Sequence, residues 1–200
     1  MSLVNLSERT NTELYTKTIN DLSKSKLYSV RKFIADKTGN KITGEKPLGY
    51  LEDFVKNAFK YSTAVVETEK GNFKIEFLPQ YAPVSVGNFC KLAKDNFYNG
   101  IEFHRVVPGF VTQCGDSTAT GWGGPGYEII SEFSPLPYEV GMVGMASAGK
   151  DTEGSQWFVM QGNYPHLDGR YSVFAKVTDG MDVVYNIDQN DKITNIKLFP

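Results

Sequence analysis

The chain has 200 residues, a formal net charge of −2 at pH 7 and 40% hydrophobic residues. This length suits one domain with an appendage, and the balanced charge argues against a nucleic-acid partner. No apolar stretch approaches the roughly 20 residues that cross a bilayer, so no membrane segment is expected. The two cysteines, Cys90 and Cys114, are too few for a disulfide framework and are predicted to be reduced thiols.

Residues 1–60 predict a helical N-terminal extension with three short amphipathic helices. Thr10 and Glu13 fit a capping box ahead of the first helix. Gly39 lies just past the predicted end of the second helix, and the third begins near Pro47. The apolar positions of the third helix are Leu48, Leu51, Val55, Ala58 and Phe59. The first residues lack a basic stretch followed by an apolar one, so a cytoplasmic location is expected.

Residues 61–200 predict a second, mainly β domain. Segments 63–67 and 73–78 are β-rich and flank a turn at Lys70-Gly71-Asn72, which indicates a hairpin. A helix with an apolar stripe that extends to Phe97 begins at Pro83. Short strands interrupted by glycine follow at 103–107, 110–113, 127–130, 141–146, 156–161 and 171–177. A last helix over 181–187 and a strand over 193–198 complete a pattern typical of a barrel or sandwich.

Two glycine motifs resemble nucleotide-binding loops but lack the required context. Residues 121–126 match G-x-G-x-x-G, yet Pro125 and a strand-like segment follow where a helix should begin. Residues 144–150 resemble a phosphate-binding loop, but Asp151 replaces the Ser or Thr that binds magnesium. His104 and His166 are the only histidines and lie far apart, so the sequence predicts no metal site.

The segment 103–116 carries the strongest indication of chemistry. Arg105 lies inside an apolar β segment, where an unpaired charge would cost several kcal/mol to desolvate. The simpler alternative is an edge strand from which Arg105 points to water. Phe110, Val111 and Gln113 follow across a Pro-Gly turn. The segment therefore predicts a pocket with one cation, one amide and apolar walls.

This segment resembles the signature of the cyclophilins, a family of peptidyl-prolyl cis/trans isomerases. Residues 141–146, 154–159 and 166–174 continue the match in the same order, and the resemblance covers about 62–198. It implies a closed, antiparallel eight-stranded β-barrel capped by two helices, formed by residues 61–200. It also implies an enzyme (EC 5.2.1.8) that assists protein folding by rotating X–Pro bonds in proline-containing polypeptides. A monomer without a cofactor is expected.

The resemblance assigns roles to individual residues. Arg105 would be the catalytic arginine, with Gln113 orienting it and Phe110 beside it in the proline pocket. The residues that would contact the substrate are Val111, Gly121, Ala146, Ser147, Gln156, Phe158, His166, Leu167 and Tyr171. Among them Val111, Phe158 and Leu167 would complete the proline pocket.

The sequence departs from the family pattern without losing Arg105 or Gln113. The positions that differ from the common family residue are Val111, Cys114, Ser147, Trp157, His166 and Tyr171. His166 stands where many members have a tryptophan that binds the drug cyclosporin, so weak cyclosporin binding is expected. A second interpretation remains open: a binding module that grips proline-containing loops with little turnover, directed by the helical extension.

Overall fold

The computed structural model describes residues 49–200 and, before them, Lys17, Asn20, Asp21, Ser23, Lys24, Ile34, Ala35, Thr38 and Gly39. The chain divides into two compact units. One comprises Met1–Pro47 with Gly126–Glu128, and the other comprises Leu48–Pro125 with Ile129–Pro200. Among the described residues, no helix is both long and apolar enough to cross a membrane.

The described residues of the first unit that adopt helical geometry are Lys17, Asn20, Asp21, Ser23, Ile34, Ala35 and Thr38. The amide of Gly39 donates a hydrogen bond to the carbonyl of Ala35 at 2.9 Å, and Gly39 has a φ of 71°. This geometry is typical of a helix C-terminus and agrees with the predicted end of the second helix. The predicted capping box at Thr10 and Glu13 lies outside the described residues.

The third predicted helix is α1 (Gly49–Ala58), and it packs on α2 (Pro83–Lys94). The prediction of its apolar face was wrong in detail. Phe54 and Ala58 are buried, whereas Val55 and Phe59 are exposed. The reason is tertiary: the backbone of Phe54 lies directly against Gly87 of α2, which turns this side of α1 inward.

The second unit contains an eight-stranded antiparallel sheet with the spatial order β3-β4-β6-β5-β7-β2-β1-β8. The strands are β1 (Thr63–Thr68), β2 (Gly71–Phe77), β3 (Arg105–Val107), β4 (Val111–Cys114), β5 (Met142–Met145), β6 (Trp157–Met160), β7 (Val173–Asp179) and β8 (Ile193–Phe199). A 3₁₀ helix (Pro165–Leu167) and α3 (Met181–Asn186) lie among the later strands.

The sheet curls so that the chain just before β3 meets the chain at the start of β8. The amide of Phe103 donates to the carbonyl of Asp191 at 2.8 Å, and that of Ile193 donates to Ile101 at 3.0 Å. These bonds satisfy backbone groups that an open sheet would leave at its edges. The predicted eight-stranded barrel architecture with its helices is confirmed.

Two local predictions were wrong. The hairpin turn is Glu69-Lys70 because Thr68 pairs with Gly71, and the Thr68 hydroxyl donates to the Gly71 carbonyl at 2.8 Å. The predicted strand at 127–130 does not form. Among the described residues its one ladder contact is that of Ile129 with Glu153, so tertiary position overrode its β propensity.

The N-terminus of α2 is capped by a side chain from a distant loop. Pro83 occupies the first turn, as predicted, and lacks an amide hydrogen to satisfy. The amides of Val84 and Ser85 donate to the Glu132 carboxylate at 2.9 and 2.8 Å. Burial raises the pKa of Glu132, although these hydrogen bonds act in the opposite direction. A negative charge at this position also interacts favourably with the positive N-terminal end of the helix dipole, which stabilises α2.

Phe89 of α2 is the centre of an aromatic core. Its ring lies 5.2 to 5.7 Å, centroid to centroid, from four other rings, those of Phe77, Tyr98, Trp157 and Phe174. Distances of this size favour tilted and edge-to-face packing, which contributes energy beyond burial alone. This core joins α2 to strands β2, β6 and β7.

Glu153 is a fully buried acidic residue in the segment between β5 and β6. Its oxygens accept hydrogen bonds from the hydroxyls of Ser131 at 2.9 Å and Ser172 at 3.2 Å. Burial disfavours the charged form and raises the pKa of Glu153 above its ordinary value. The folded chain therefore holds this proton more tightly than the unfolded chain does.

Replacing this residue in the variant Glu153→Gln is expected to change how stability depends on pH. Because the folded-state pKa is raised, wild-type stability falls as the pH rises above about 4.3, the ordinary pKa of glutamate. The amide cannot ionise, so the variant should gain stability relative to wild type across that window. Urea unfolding of both proteins from about pH 4 to pH 8 measures the difference. A constant difference at every pH would contradict the assignment.

Candidate functional site

The predicted cation and amide lie opposite each other on neighbouring strands. In the β3–β4 pair, Arg105 is in register with Gln113. The Arg105 Nη1 atom donates a hydrogen bond to Gln113 Oε1 at 3.3 Å. Arg105 is exposed on β3 at the end of the sheet order, as the simpler alternative proposed, yet its guanidinium has this partner. The short Pro-Gly connection sets this register, since residues directly opposite on an antiparallel pair lie on one face.

A chain of amides extends from this pair to the glycine-rich loop. Gln113 Nε2 donates to Gln156 Oε1 at 3.1 Å. Gln156 Nε2 donates to the carbonyls of Gly121 and Gly123, each at 3.0 Å. The guanidinium has no acceptor atom, so Gln113 must turn its oxygen to Arg105 and its amide nitrogen to Gln156. The guanidinium therefore sets the orientation of the Gln113 amide, and Gln113 in turn sets that of the Gln156 amide.

An apolar cluster lies beside this polar chain. Its buried members are Val111, Tyr138, Met142, Phe158, Met160, Leu167 and Val173. The partly buried residues packed against them are Leu78, Phe110, Leu136, Ala146, Tyr164 and Tyr171. Phe158 is in register with Gln113 across β4 and β6, so the apolar cluster and the polar chain share neighbouring strand positions. The predicted proline-pocket residues are thus together in one cluster.

Phe110 stands between the cation and the apolar wall. The Arg105 Cζ atom lies 5.6 Å from the centroid of the Phe110 ring, within range of a cation–π contact. Phe110 also meets Tyr164 edge-to-face at 4.6 Å and stacks with His166 at 6.3 Å. The ring is therefore held in place by aromatic neighbours, while it remains partly accessible.

The remaining predicted contacts lie around Gln156 and Phe158. The amide of Ala146 donates to the carbonyl of Gln156 at 2.9 Å, and Ser147 follows at a half-buried position. Tyr171 meets Phe158 edge-to-face at 5.8 Å. Gly121 is exposed and contributes its carbonyl to Gln156. The structure therefore brings the predicted positions together, and their roles in binding remain predictions.

Two tyrosines in the cluster were missed by sequence reasoning. Tyr138 is 1% exposed and its ring stacks on Phe158 at 5.7 Å. The Tyr164 hydroxyl donates to the carbonyl of Gly109 at 3.0 Å and so fixes the turn between β3 and β4. Both lie outside strands and helices, where periodicity carries no signal. An isolated aromatic residue in a loop does not indicate its neighbours, so the sequence could not place Tyr164 beside Phe110 or Tyr138 beside Phe158.

The charges around the site are set by burial and local hydrogen bonds. Burial lowers the pKa of His104, which favours the neutral imidazole next to Arg105. Burial acts to raise the pKa of Asp116, but hydrogen bonds from Thr118 and Gly121 outweigh it and lower that pKa. The groups close to Arg105 are thus an imidazole whose neutral form is favoured and the amide of Gln113.

The geometry suits one kind of chemistry. A partly exposed apolar cluster can hold a small ring, and a guanidinium held by Gln113 can present hydrogen-bond donors beside it. Residues 121–126 form a loop, and residues 144–150 run from the end of β5 into a loop. Neither motif begins a helix, so the phosphate-binding interpretations lack their structural context. Among the residues that the structure describes, no group of three or more His, Cys, Asp or Glu side chains could hold a metal ion.

Comparison with known proteins gives consistent matches over the barrel. The family model described as "Cyclophilin type peptidyl-prolyl cis-trans isomerase/CLD" matches residues 63–198. A peptidyl-prolyl cis-trans isomerase of Synechococcus elongatus is 43% identical, over 68% of this chain and 94% of that protein. Peptidyl-prolyl cis-trans isomerase B of Bacillus subtilis is 48% identical, over 65% of this chain and 93% of that protein.

Comparison with solved structures gives matches to the same family. The crystal structure of a cyclophilin-type peptidyl-prolyl cis-trans isomerase of Cryptosporidium parvum has a TM-score of 0.66 and 30% identity. The match covers 70% of this chain and 98% of the Cryptosporidium parvum chain. A second structure of that protein, determined in the presence of the dipeptide Ala-Pro, has a TM-score of 0.65 and 30% identity, and covers 69% and 99% of the two chains.

Proposed function

The chain belongs to the cyclophilin-type peptidyl-prolyl cis/trans isomerase family, and from this premise we propose that Arg105 is the group that accelerates rotation about the X–Pro bond. The enzyme class is that of its relatives, EC 5.2.1.8. The observation that carries the proposal is the guanidinium that Gln113 holds over the ring of Phe110. We infer that its substrates are proline-containing segments of flexible or unfolded chains, and that it assists their folding.

The barrier to X–Pro rotation determines how much transition-state stabilisation the site must provide. Twisting an amide breaks its resonance, with a barrier of roughly 18–20 kcal/mol. Uncatalysed X–Pro isomerisation takes tens to hundreds of seconds. Reaching milliseconds requires about 10⁴-fold acceleration, or some 5–6 kcal/mol of binding selective for the twisted state. No bond is made or broken, so neither a nucleophile nor a cofactor is required.

Arg105 can provide this selectivity through one hydrogen bond. In the planar amide the nitrogen lone pair is delocalised and accepts poorly. As the amide twists, the prolyl nitrogen regains its lone pair and becomes an acceptor, which an Arg105 N–H then binds. The interaction exists mainly in the transition state, so it lowers the barrier without binding the planar ground state more tightly. Gln113 keeps the guanidinium aimed, which removes a reorganisation cost.

The apolar cluster has a separate role. We propose that the proline ring sits against Phe110, Val111, Phe158 and Leu167, where it excludes water and reduces screening of the cation. The substrate backbone would lie along Ala146, Ser147 and Gln156, so that one side of the X–Pro bond is held while the other rotates. His166 and Tyr171 would border this groove through their contacts with Phe110 and Phe158.

A turnover assay separates the enzyme from the alternative of a low-turnover binding module. A short X–Pro peptide is followed by its cis-to-trans relaxation with catalytic amounts of protein. The enzyme predicts a rate proportional to protein concentration, whereas the binder predicts none above the spontaneous rate. Peptide binding without acceleration would support the binder. The intact arrangement of Arg105, Gln113 and Phe110 favours the enzyme.

Cyclosporin is expected to inhibit this protein weakly. His166 is exposed and stacks on Phe110, so it offers less apolar area than an indole at the same place. The variant His166→Trp should bind the drug roughly tenfold more tightly, a gain of about 1.4 kcal/mol. Inhibition curves for both proteins with one peptide measure this. Sub-micromolar inhibition of the wild type would contradict the prediction.

A further inference from the structure

The two tryptophans of the chain lie in opposite environments. Trp157 is fully buried in the aromatic core, whereas Trp122 is 88% exposed in the glycine-rich loop that runs over 117–125. A tryptophan that exposes nearly all its surface contributes little to folding, because its burial is what stabilises a protein. Single exposed aromatics are common, so the surroundings of Trp122 decide whether it has a role.

The loop that carries Trp122 is held by its own hydrogen bonds. The Asp116 carboxylate accepts from the amide and the hydroxyl of Thr118, at 2.7 and 2.8 Å, and from the amide of Gly121. The amide of Trp122 donates to the Thr120 hydroxyl oxygen at 3.3 Å. A Cβ on Gly123 would collide with the Asp116 carboxylate, so the backbone approaches this side chain closely. The indole is therefore presented on a fixed backbone.

The same loop is bonded to the catalytic groups. The carbonyls on both sides of Trp122, those of Gly121 and Gly123, accept from Gln156 Nε2. Gln156 in turn accepts from Gln113, which holds Arg105. Two side chains thus separate the guanidinium from the backbone that flanks Trp122. A peptide with its proline beside Arg105 has neighbouring residues within reach of the indole, since each residue spans about 3.3 Å or more when extended.

We propose that Trp122 is a specificity-determining residue: its indole stacks on an aromatic side chain of the substrate that flanks the X–Pro bond. This inference rests on the isomerase activity described above. Aromatic rings gain energy from offset or edge-to-face contact beyond their area, which an aliphatic side chain does not. The rigid loop also reduces the ordering cost of that contact. Ser117, Thr118 and Thr120 carry no charge, and the Asp116 carboxylate is buried and hydrogen-bonded to the loop, so these side chains offer no exposed charge to a cationic side chain.

Peptide kinetics with the full chain test this. Phenylalanine replaces alanine at one flanking position at a time in an otherwise alanine peptide with a single X–Pro bond. At one position the wild type should show kcat/KM raised roughly two- to tenfold over the all-alanine peptide. Trp122→Ala should lose this ratio, and Trp122→Phe should keep most of it. Tyr185→Ala removes an exposed aromatic on α3 and should leave the ratio unchanged.

Tryptophan fluorescence gives a readout that does not depend on turnover. Because Trp157 is buried, a change in the emission of solvent-exposed indole on adding the phenylalanine peptide reports on Trp122. Trp122→Phe should abolish that change. Equal kcat/KM for all peptides in the wild type, or the same ratio in Trp122→Ala, would overturn the proposal. If no peptide were turned over but the emission still changed, the isomerase assignment would fail and the contact would stand.

Discussion

Replacing Arg105 by alanine is expected to lower kcat/KM for X–Pro isomerisation by about 10²–10³, the usual loss when one preorganised donor to a transition state is removed. The fold should be unaffected. Arg105 is exposed, and its contacts are a hydrogen bond to Gln113 and the face of Phe110. Surface substitutions of this kind usually change stability by less than about 0.5 kcal/mol. The relaxation assay and urea unfolding of the same preparation measure the two effects separately.

The matched control is Arg170→Ala, which removes another exposed arginine from the same unit. Its kcat/KM should stay within about twofold of wild type, since only general charge effects remain. Arg105→Lys keeps the charge but loses the planar fork, so an intermediate loss is expected. Gln113→Ala should cost less than Arg105→Ala, because it frees the guanidinium without removing it. Full activity in Arg105→Ala would refute the mechanism.

Gly87→Ala should be strongly destabilising. A Cβ there would overlap the Phe54 carbonyl oxygen and lie 2.5 Å from its carbonyl carbon and 2.8 Å from its Cα. The contact is with backbone, so no side chain can rotate away and α1 must separate from α2. Alanine gains about 1 kcal/mol of helix propensity. The net loss should still be about 2 kcal/mol or more, a Tm decrease of roughly 4–8 °C.

Two controls identify the cause of that loss. Gly124→Ala adds the same methyl group where the nearest atom, Ser155 Oγ, is 4.0 Å away, and it should be nearly neutral. The shortened chain 61–200 lacks α1 altogether. There Gly87→Ala should be neutral or stabilising, since the Phe54 backbone is gone. A similar loss in both lengths would contradict helix–helix contact as the cause. Activity of the shortened chain would support the proposed boundary between extension and isomerase domain.

Two features of the fold, the segment 127–130 and the buried face of α1, could not be predicted correctly from the sequence. The strand at 127–130 was predicted from β propensity, yet within the part of the chain that the structure describes Ile129 forms an isolated bridge with Glu153 and no longer ladder. The face of α1 was assigned from apolar spacing. Phe54, which that assignment omitted, is 5% exposed, whereas Phe59, which it included, is 66% exposed. In both cases the partner that decided the outcome is distant in sequence and leaves no local pattern.

Sequence by itself indicated a barrel or a sandwich with its helices and a cation–amide pair, and the resemblance to the cyclophilins implied the eight-stranded barrel. Glycine turns, strand alternation and the ordered motifs are local signals, and the short turn after Val107 places Gln113 opposite Arg105. Only the tertiary structure decided that Gln156 links this pair to the loop around Trp122, and that Tyr138 and Tyr164 support the two pocket rings. These contacts join segments far apart along the chain, and their geometry exists only after the sheet has curled.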